Sequence, residues 1–167
     1  MRVKLAIAAG IAALTLAGAA SAQAPALSPV SYSPEFQTSL DDDLGVREGE
    51  YLSAYVQDAV ANALARRGAT AGLSIELSII DAEPNRPTFE QLASRPGLDP
   101  IRSISVGGAE LRAVLRDANG AMVGEVSHER YNHSLAELTG GEATWSEARQ
   151  AIRQFANKVA DAYVAAR

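Results

Sequence analysis

Cysteine is missing from all 167 residues. Its absence excludes disulfide staples, thiolate metal ligands and a cysteine nucleophile. Histidine is nearly missing: His128 and His133 alone must carry any imidazole chemistry. Basic runs are also scarce. None exceeds Arg66-Arg67, and the net charge is −5, becoming −7 if Arg2 and Lys4 leave with a cleaved leader. An acidic chain without a basic stripe repels phosphate backbones, so nucleic acid is not an expected partner. There is no G-x-S-x-G elbow, no H-E-x-x-H and no phosphate-binding glycine loop, which removes the motif-based routes to hydrolase, metalloprotease and nucleotide chemistry.

Residues 1–22 are informative about location. Arg2 and Lys4 form a basic start, Leu5 to Ala20 an uncharged apolar stretch, and Ala20-Ser21-Ala22 a small-residue cleavage site. The stretch is shorter than the roughly 20 apolar residues that span a bilayer. The expected reading is an export signal cut between Ala22 and Gln23, delivering the chain to the bacterial periplasm. Gln23 stands where a lipoprotein needs cysteine, so a lipid anchor is not expected. Residues 23–29, with Pro25 and Pro29, read as a flexible mature N-terminus. Residues 30–167 are the right length for one domain with its own core.

Along that domain, Val30 to Gln37 reads as a first strand, demoted to an edge by Pro34, and Thr38 to Gly49 as a polar, acidic connection. Glu50 to Arg67 is helical, with Leu52, Val56, Ala59, Val60 and Ala63 on one stripe and Gly68 past its end. Leu73, Ile75, Leu77 and Ile79 alternate with Ser74, Glu76 and Ser78, the pattern of a half-buried strand. The stretch 82–100 holds Pro84, Pro87, Pro96 and Pro100 and reads as a long connection, with Thr88 capping a short helical turn through Leu92. Strands are expected at 101–106, 109–117 and 121–131, the last two joined at Asn119-Gly120, with Gly107-Gly108 as a bulge or a second hairpin. A closing helix follows Thr144, whose cap Glu147 would complete. Its stripe is Trp145, Ala148, Ile152, Phe155, Ala156, Val159 and Tyr163. Neither helix has the apolar run or basic face of a membrane-binding element, so stable membrane insertion is not expected.

Candidate chemistry is sparse. His128 and His133 fall on opposite faces of a strand and meet at one metal only if the chain turns between them. Asp41-Asp42-Asp43 lacks calcium-loop spacing and fits a solvated loop. Gly140-Gly141 reads as a loop. Tyr51, Tyr55, Trp145, Phe155 and Tyr163 take core-facing helix positions. Tyr32, Phe36 and Phe89 fall in edge and loop segments, where an aromatic can anchor a partner. The candidate partner-binding residues are therefore Phe89, Leu92 and Phe36, and no cofactor or metal is expected.

The helix ending Ala63-Leu64-Ala65-Arg66-Arg67-Gly68, the alternating strand, the hairpin through Asp117-Ala118-Asn119-Gly120 and the closing helix with Phe155-Ala156 resemble a group of small bacterial envelope proteins. Their domain is similar to the N-terminal α/β domain of the Tol-system propeller protein. The resemblance implies a non-catalytic accessory or assembly role with an envelope protein as partner. The expected fold is α+β: a two-layer sandwich, with a mixed, mostly antiparallel sheet of about four to five strands and two amphipathic helices on one face. The expected function is protein–protein contact, by an exposed sheet edge or the 82–100 loop. The alternatives are a small hydrolase centred on His128, or a binder of a small apolar ligand between sheet and helices.

Overall fold

The computed structural model describes residues 24–138 and 143–167. The cleavage pair Ala22 and Gln23 and the Gly140-Gly141 loop lie outside the described residues. The expected α+β architecture is present: a five-stranded mixed sheet, mostly antiparallel, with helices against one face.

The first two strands are very short. Strand β1 (Ala26–Leu27) and β2 (Ser31–Tyr32) both pair in parallel with the same edge of β3 (Ser74–Glu83), and their register slips by one residue across the Pro29 segment. Proline has no N–H to give the ladder, so one edge strand becomes two pieces. The strand expected over Val30 to Gln37 ends after Tyr32. Pro34 opens helix α1 (Pro34–Ser39) at its first position, where the missing N–H costs nothing, and the Ser33 hydroxyl accepts from Phe36 N at 3.0 Å as its cap. The expected acidic connection is helical as well. A π-helical turn (Leu40–Leu44) carries Asp41, Asp42 and Asp43 outward and Leu40 and Leu44 inward, and helix α2 (Val46–Arg66) begins four residues earlier than its periodicity indicates.

Strand β3 keeps its alternation: Ile75, Leu77 and Ile79 are buried, while Glu76 is exposed. It pairs antiparallel with β4 (Gly108–Arg116), which pairs antiparallel with β5 (Met122–Tyr131). The hairpin turns at Ala118-Asn119-Gly120. Gly120 alone takes positive φ, +82°, and Asn119 keeps an ordinary one, so the turn is a three-residue loop and not the two-residue Asn-Gly type. On the solvent face Arg116 pairs with Glu76 at 2.8 Å and Arg112 with Glu125 at 2.7 Å. Helix α4 (Ser146–Ala165) packs on β4, β5 and α2. Its Ile152, Phe155, Val159 and Tyr163 join Leu52, Val56 and Val60 of α2 in one core over β3 and β4. Tyr51 departs from its expected core position and is exposed, since it lies at the margin of the α2 stripe. No helix among the described residues is long and apolar enough to cross a membrane.

Two further expectations are corrected. Residues 101–106 form no strand, because Asp99 Oδ1 accepts from Ile101 N at 2.8 Å and Arg102 N at 2.7 Å, curling the chain locally. Thr144 does not cap α4. Its carbonyl accepts from Asn85 N at 2.6 Å, and the Asn85 side-chain oxygen accepts from Glu147 N at 2.9 Å, so the helix start is capped from 62 residues upstream. Glu147, expected to complete a local capping box, is fully buried and pairs with Arg130 at 2.6 Å.

Phe155 lies fully buried in mid-stripe. Phe155→Ala should cost about 3–5 kcal/mol through lost apolar burial and the cavity left behind. Urea unfolding checks this, and a loss under about 1 kcal/mol would place the residue outside the core.

Candidate functional site

At the C-terminal end of β3 the chain leaves the sheet at Glu83 and returns only at Gly108. The connection folds over a cleft of about 770 Å³ whose walls are Asp81 and Glu83 from β3, Asp43 from the π-helical turn, and Arg86, Arg95 and Arg102 from the connection itself.

Local chemistry fixes this connection. Asn85 is 3% exposed; besides capping α4 it donates from Nδ2 to Val106 O at 3.0 Å, and its carbonyl accepts from Ser105 N at 2.9 Å. Gly107 takes φ +65° directly against it, where a Cβ would stand 2.4 Å from Asn85 Nδ2. Gly107-Gly108 is thus neither bulge nor hairpin, and it delivers the chain into β4 past the Asn85 carboxamide. The expected helical turn is α3 (Phe89–Ser94). Thr88 Oγ1 accepts from Gln91 N at 3.2 Å and Gln91 Oε1 from Thr88 N at 3.1 Å, a complete capping box. Gln91 then donates to Asp43 Oδ2 at 2.8 Å, and Arg95 pairs with the other Asp43 oxygen, which clamps α3 to the π-helical turn.

The charges divide unevenly. Arg95 is neutralised by Asp43, and Arg86 donates to Ile101 O. The exposed Arg102 guanidinium makes no hydrogen bond or ion pair among the described residues. On the acid side, Tyr131 donates to Asp81 Oδ2 at 2.8 Å. Burial, then that hydrogen bond, then the charges of Asp81, Glu83 and Glu110 push the Tyr131 phenol far above its ordinary value, so it remains a neutral donor. The lining holds no histidine, lysine or cysteine, and of its carboxylates Asp43 is engaged by Gln91 and Arg95 and Asp81 accepts from Tyr131. The lining thus offers charged and apolar side chains, including Leu98 and Ile104.

The three residues expected to bind a partner have different fates. Phe89 is 87% exposed. Leu92 is half-buried. Phe36 is fully buried, with its ring edge-on to Tyr32 at 5.6 Å, so it is a core residue and offers nothing to a partner. Its Pro34 neighbour suggested an edge strand, whereas a helix beginning at that proline turns Phe36 inward. Ile101 and Ile104, expected in a strand, are 74% and 45% exposed on the connection. Sequence reading passed over Asn85 and Arg102. The signals were Asn85 set between Pro84 and Pro87 and an Asx-type turn at Asp99.

His128 faces the helix layer from β5. Lys158 Nζ lies 3.0 Å from Nδ1, and Gln154 Oε1 lies 3.1 Å from Nε2. A lysine ammonium can only donate, so Nδ1 accepts and the neutral ring donates from Nε2 to Gln154. Among the described residues no serine or aspartate bonds to His128, and His133 sits apart on an exposed loop. Among the described residues no group of His, Asp and Glu has the arrangement to hold a metal ion. The cleft is charged and lies at the end of β3, unlike the apolar cavity between sheet and helices that a small apolar ligand would need.

Burial, then the Lys158 ammonium, holds the His128 imidazole below its usual value; the Gln154 hydrogen bond opposes this and the Arg130 charge adds to it. The folded value thus lies below the unfolded one of about 6.5. The histidine's contribution to stability is complete above that pH and is lost as pH falls through the folded value. Chemical unfolding of the wild type should show stability falling from pH 7.5 to pH 5, and His128→Gln should flatten that slope. Equal slopes would exclude His128 as its origin.

No protein-family model, no curated protein and no solved structure matches the chain.

Proposed function

We propose that this chain is an exported, non-catalytic protein of the bacterial envelope that works by binding a partner protein, and that the connection between β3 and β4 is its recognition element. One observation carries the reading: Phe89, Ile101 and Ile104 are large apolar side chains exposed on a single connection whose backbone is fixed. Leaving such groups in water gains nothing for the fold, and clustered exposed apolar groups mark interaction sites. The fixed backbone matters equally, because ordering a loop on binding consumes affinity. Asn85, the Thr88 cap, the Asp43 clamp and the Asp99 turn have already ordered this one. Arg102, next to Ile101 in the chain and in the same cleft lining as Ile104, adds an unpaired charge, and arginine and aromatic side chains are enriched in binding hot spots. Export rests on the N-terminal 22 residues and the envelope setting on the resemblance given above. The route through a proline-bearing edge strand is dropped, since Pro34 belongs to α1.

The test is affinity capture from periplasmic extract with a tagged mature chain carrying Phe89→Ser and Ile104→Ser. Capture should be lost while stability changes by no more than about 0.5 kcal/mol, the usual scale for surface substitutions. Retained capture would remove the connection from the mechanism. A large fall in stability would show that the two side chains hold the fold.

A further inference from the structure

Five of the chain's arginines are neutralised by carboxylates: Arg67 by Asp161, Arg95 by Asp43, Arg112 by Glu125, Arg116 by Glu76 and Arg130 by Glu147. Arg149 and Arg153 of α4 are held differently. The Arg149 guanidinium lies 4.9 Å over the ring of Tyr55, and Arg153 Nη1 donates to the Tyr55 hydroxyl at 3.0 Å. Tyr55 in turn stacks on Tyr51, with ring centres 6.5 Å apart. A phenol positions a guanidinium as a carboxylate would, yet leaves its charge uncancelled. Burial pushes the Tyr55 phenol up. Hydrogen bonding and charge from Arg149 and Arg153 more than offset this, so the two positive groups are felt at the ring and not screened away. Beyond Tyr55 a groove of about 300 Å³ runs between α2 and α4, with Ala59 and Ala156 among its lining and Arg66 at the α2 side. Arg66 has no hydrogen-bond or ion-pair partner among the described residues. Asp58 is the sole carboxylate in the groove lining, against Arg66 and Arg153.

We propose that the α2–α4 groove is a docking site for an acidic segment of a partner protein, with Arg153 and Arg66 in its lining as carboxylate contacts and Arg149, one turn before Arg153 over the Tyr55 ring, as a third. Charge complementarity argues for the class of partner. The arginine pair stands at i and i+4, about 6 Å apart along the helix axis, the same spacing that glutamates at i and i+4 present on a helical partner. Guanidinium forks take carboxylates bidentately, and the tyrosine pair supplies a rigid apolar shoulder. A long polyanion such as nucleic acid would run past the arginines onto the rest of an acidic chain, whereas a short acidic segment meets the arginine-lined groove alone. This surface is separate from the connection between β3 and β4, so the inference stands without the proposed function.

The probe is a fluorescein-labelled peptide of repeating Glu-Ala-Ala-Ala units, titrated with the mature chain and followed by anisotropy. Saturable binding is expected, weakened by added salt and absent for the Gln-Ala-Ala-Ala peptide. Arg149→Gln with Arg153→Gln should lose about tenfold or more in affinity. Arg66→Gln, which removes no intramolecular partner and so leaves the fold intact, should lose about threefold. Phe89→Ser with Ile104→Ser should bind the peptide as the wild type does, which separates this site from the other surface. The proposal is overturned if the peptide does not bind, if the arginine variants bind it unchanged, if inorganic phosphate displaces it at equal concentration, or if sedimentation shows that the groove instead holds a second copy of the chain.

Discussion

Asn85 ties together three segments of this molecule. Its main chain bonds Thr144 and Ser105, while its side chain bonds Glu147, Val106 and Ser105, so one buried carboxamide ties the β3 exit, the start of α4 and the entry to β4. The helix start would otherwise expose unsatisfied N–H groups in a buried place, which is costly. Replacing the side chain would leave partners unpaired at the start of α4 and at the entry to β4 at once. The neighbouring Gly107 follows from the same constraint, as a side chain there would collide with the carboxamide.

The sheet and its helices rest on simpler grounds. A strand with one apolar face needs a cover on that face and water on the other, and β3 and β4 satisfy this with aliphatic residues inside and Glu76, Arg112 and Arg116 outside. This part was legible in the sequence because it depends on periods of two and 3.6, which are local properties. The α2 and α4 stripes, the alternation of 73–79 and the Asn119-Gly120 hairpin are of this kind. Buried Phe155 and Tyr163 follow from the same periodicity.

The remainder was hidden because its determinants are not local. Pro34 reads equally well as a strand breaker or a helix opener, and the choice depends on Ser33 accepting from Phe36 N. Ile101 and Ile104 look like strand residues, yet the Asp99 carboxylate curls the chain first. Glu147 three residues after Thr144 imitates a capping box, but its carboxylate has a stronger claimant in Arg130, and Asn85 supplies the cap from the far side of the loop. Of the candidate surface, only Phe89 was recognised as it stands. Arg102, Arg149 and Arg153 acquire meaning from what does or does not lie beside them, and a linear sequence does not record that.

The divided edge strand has a consequence for how the sheet meets other chains. Strand β1 is held to β3 by two paired residues and the adjoining Ser28 N bond to Ile75 O, whereas β2 is anchored by α1, which follows it and buries Phe36. Opening β1 therefore requires far less free energy than global unfolding, and its amides should exchange with solvent long before those of β4. Each opening bares the backbone of β3 around Ser74 and Ile75, a template for an invading strand. The pairing of β2 and the Phe36 packing of α1 confine the breach to that first stretch of the edge, so fraying stops before it reaches the core beneath Tyr32 and Phe36.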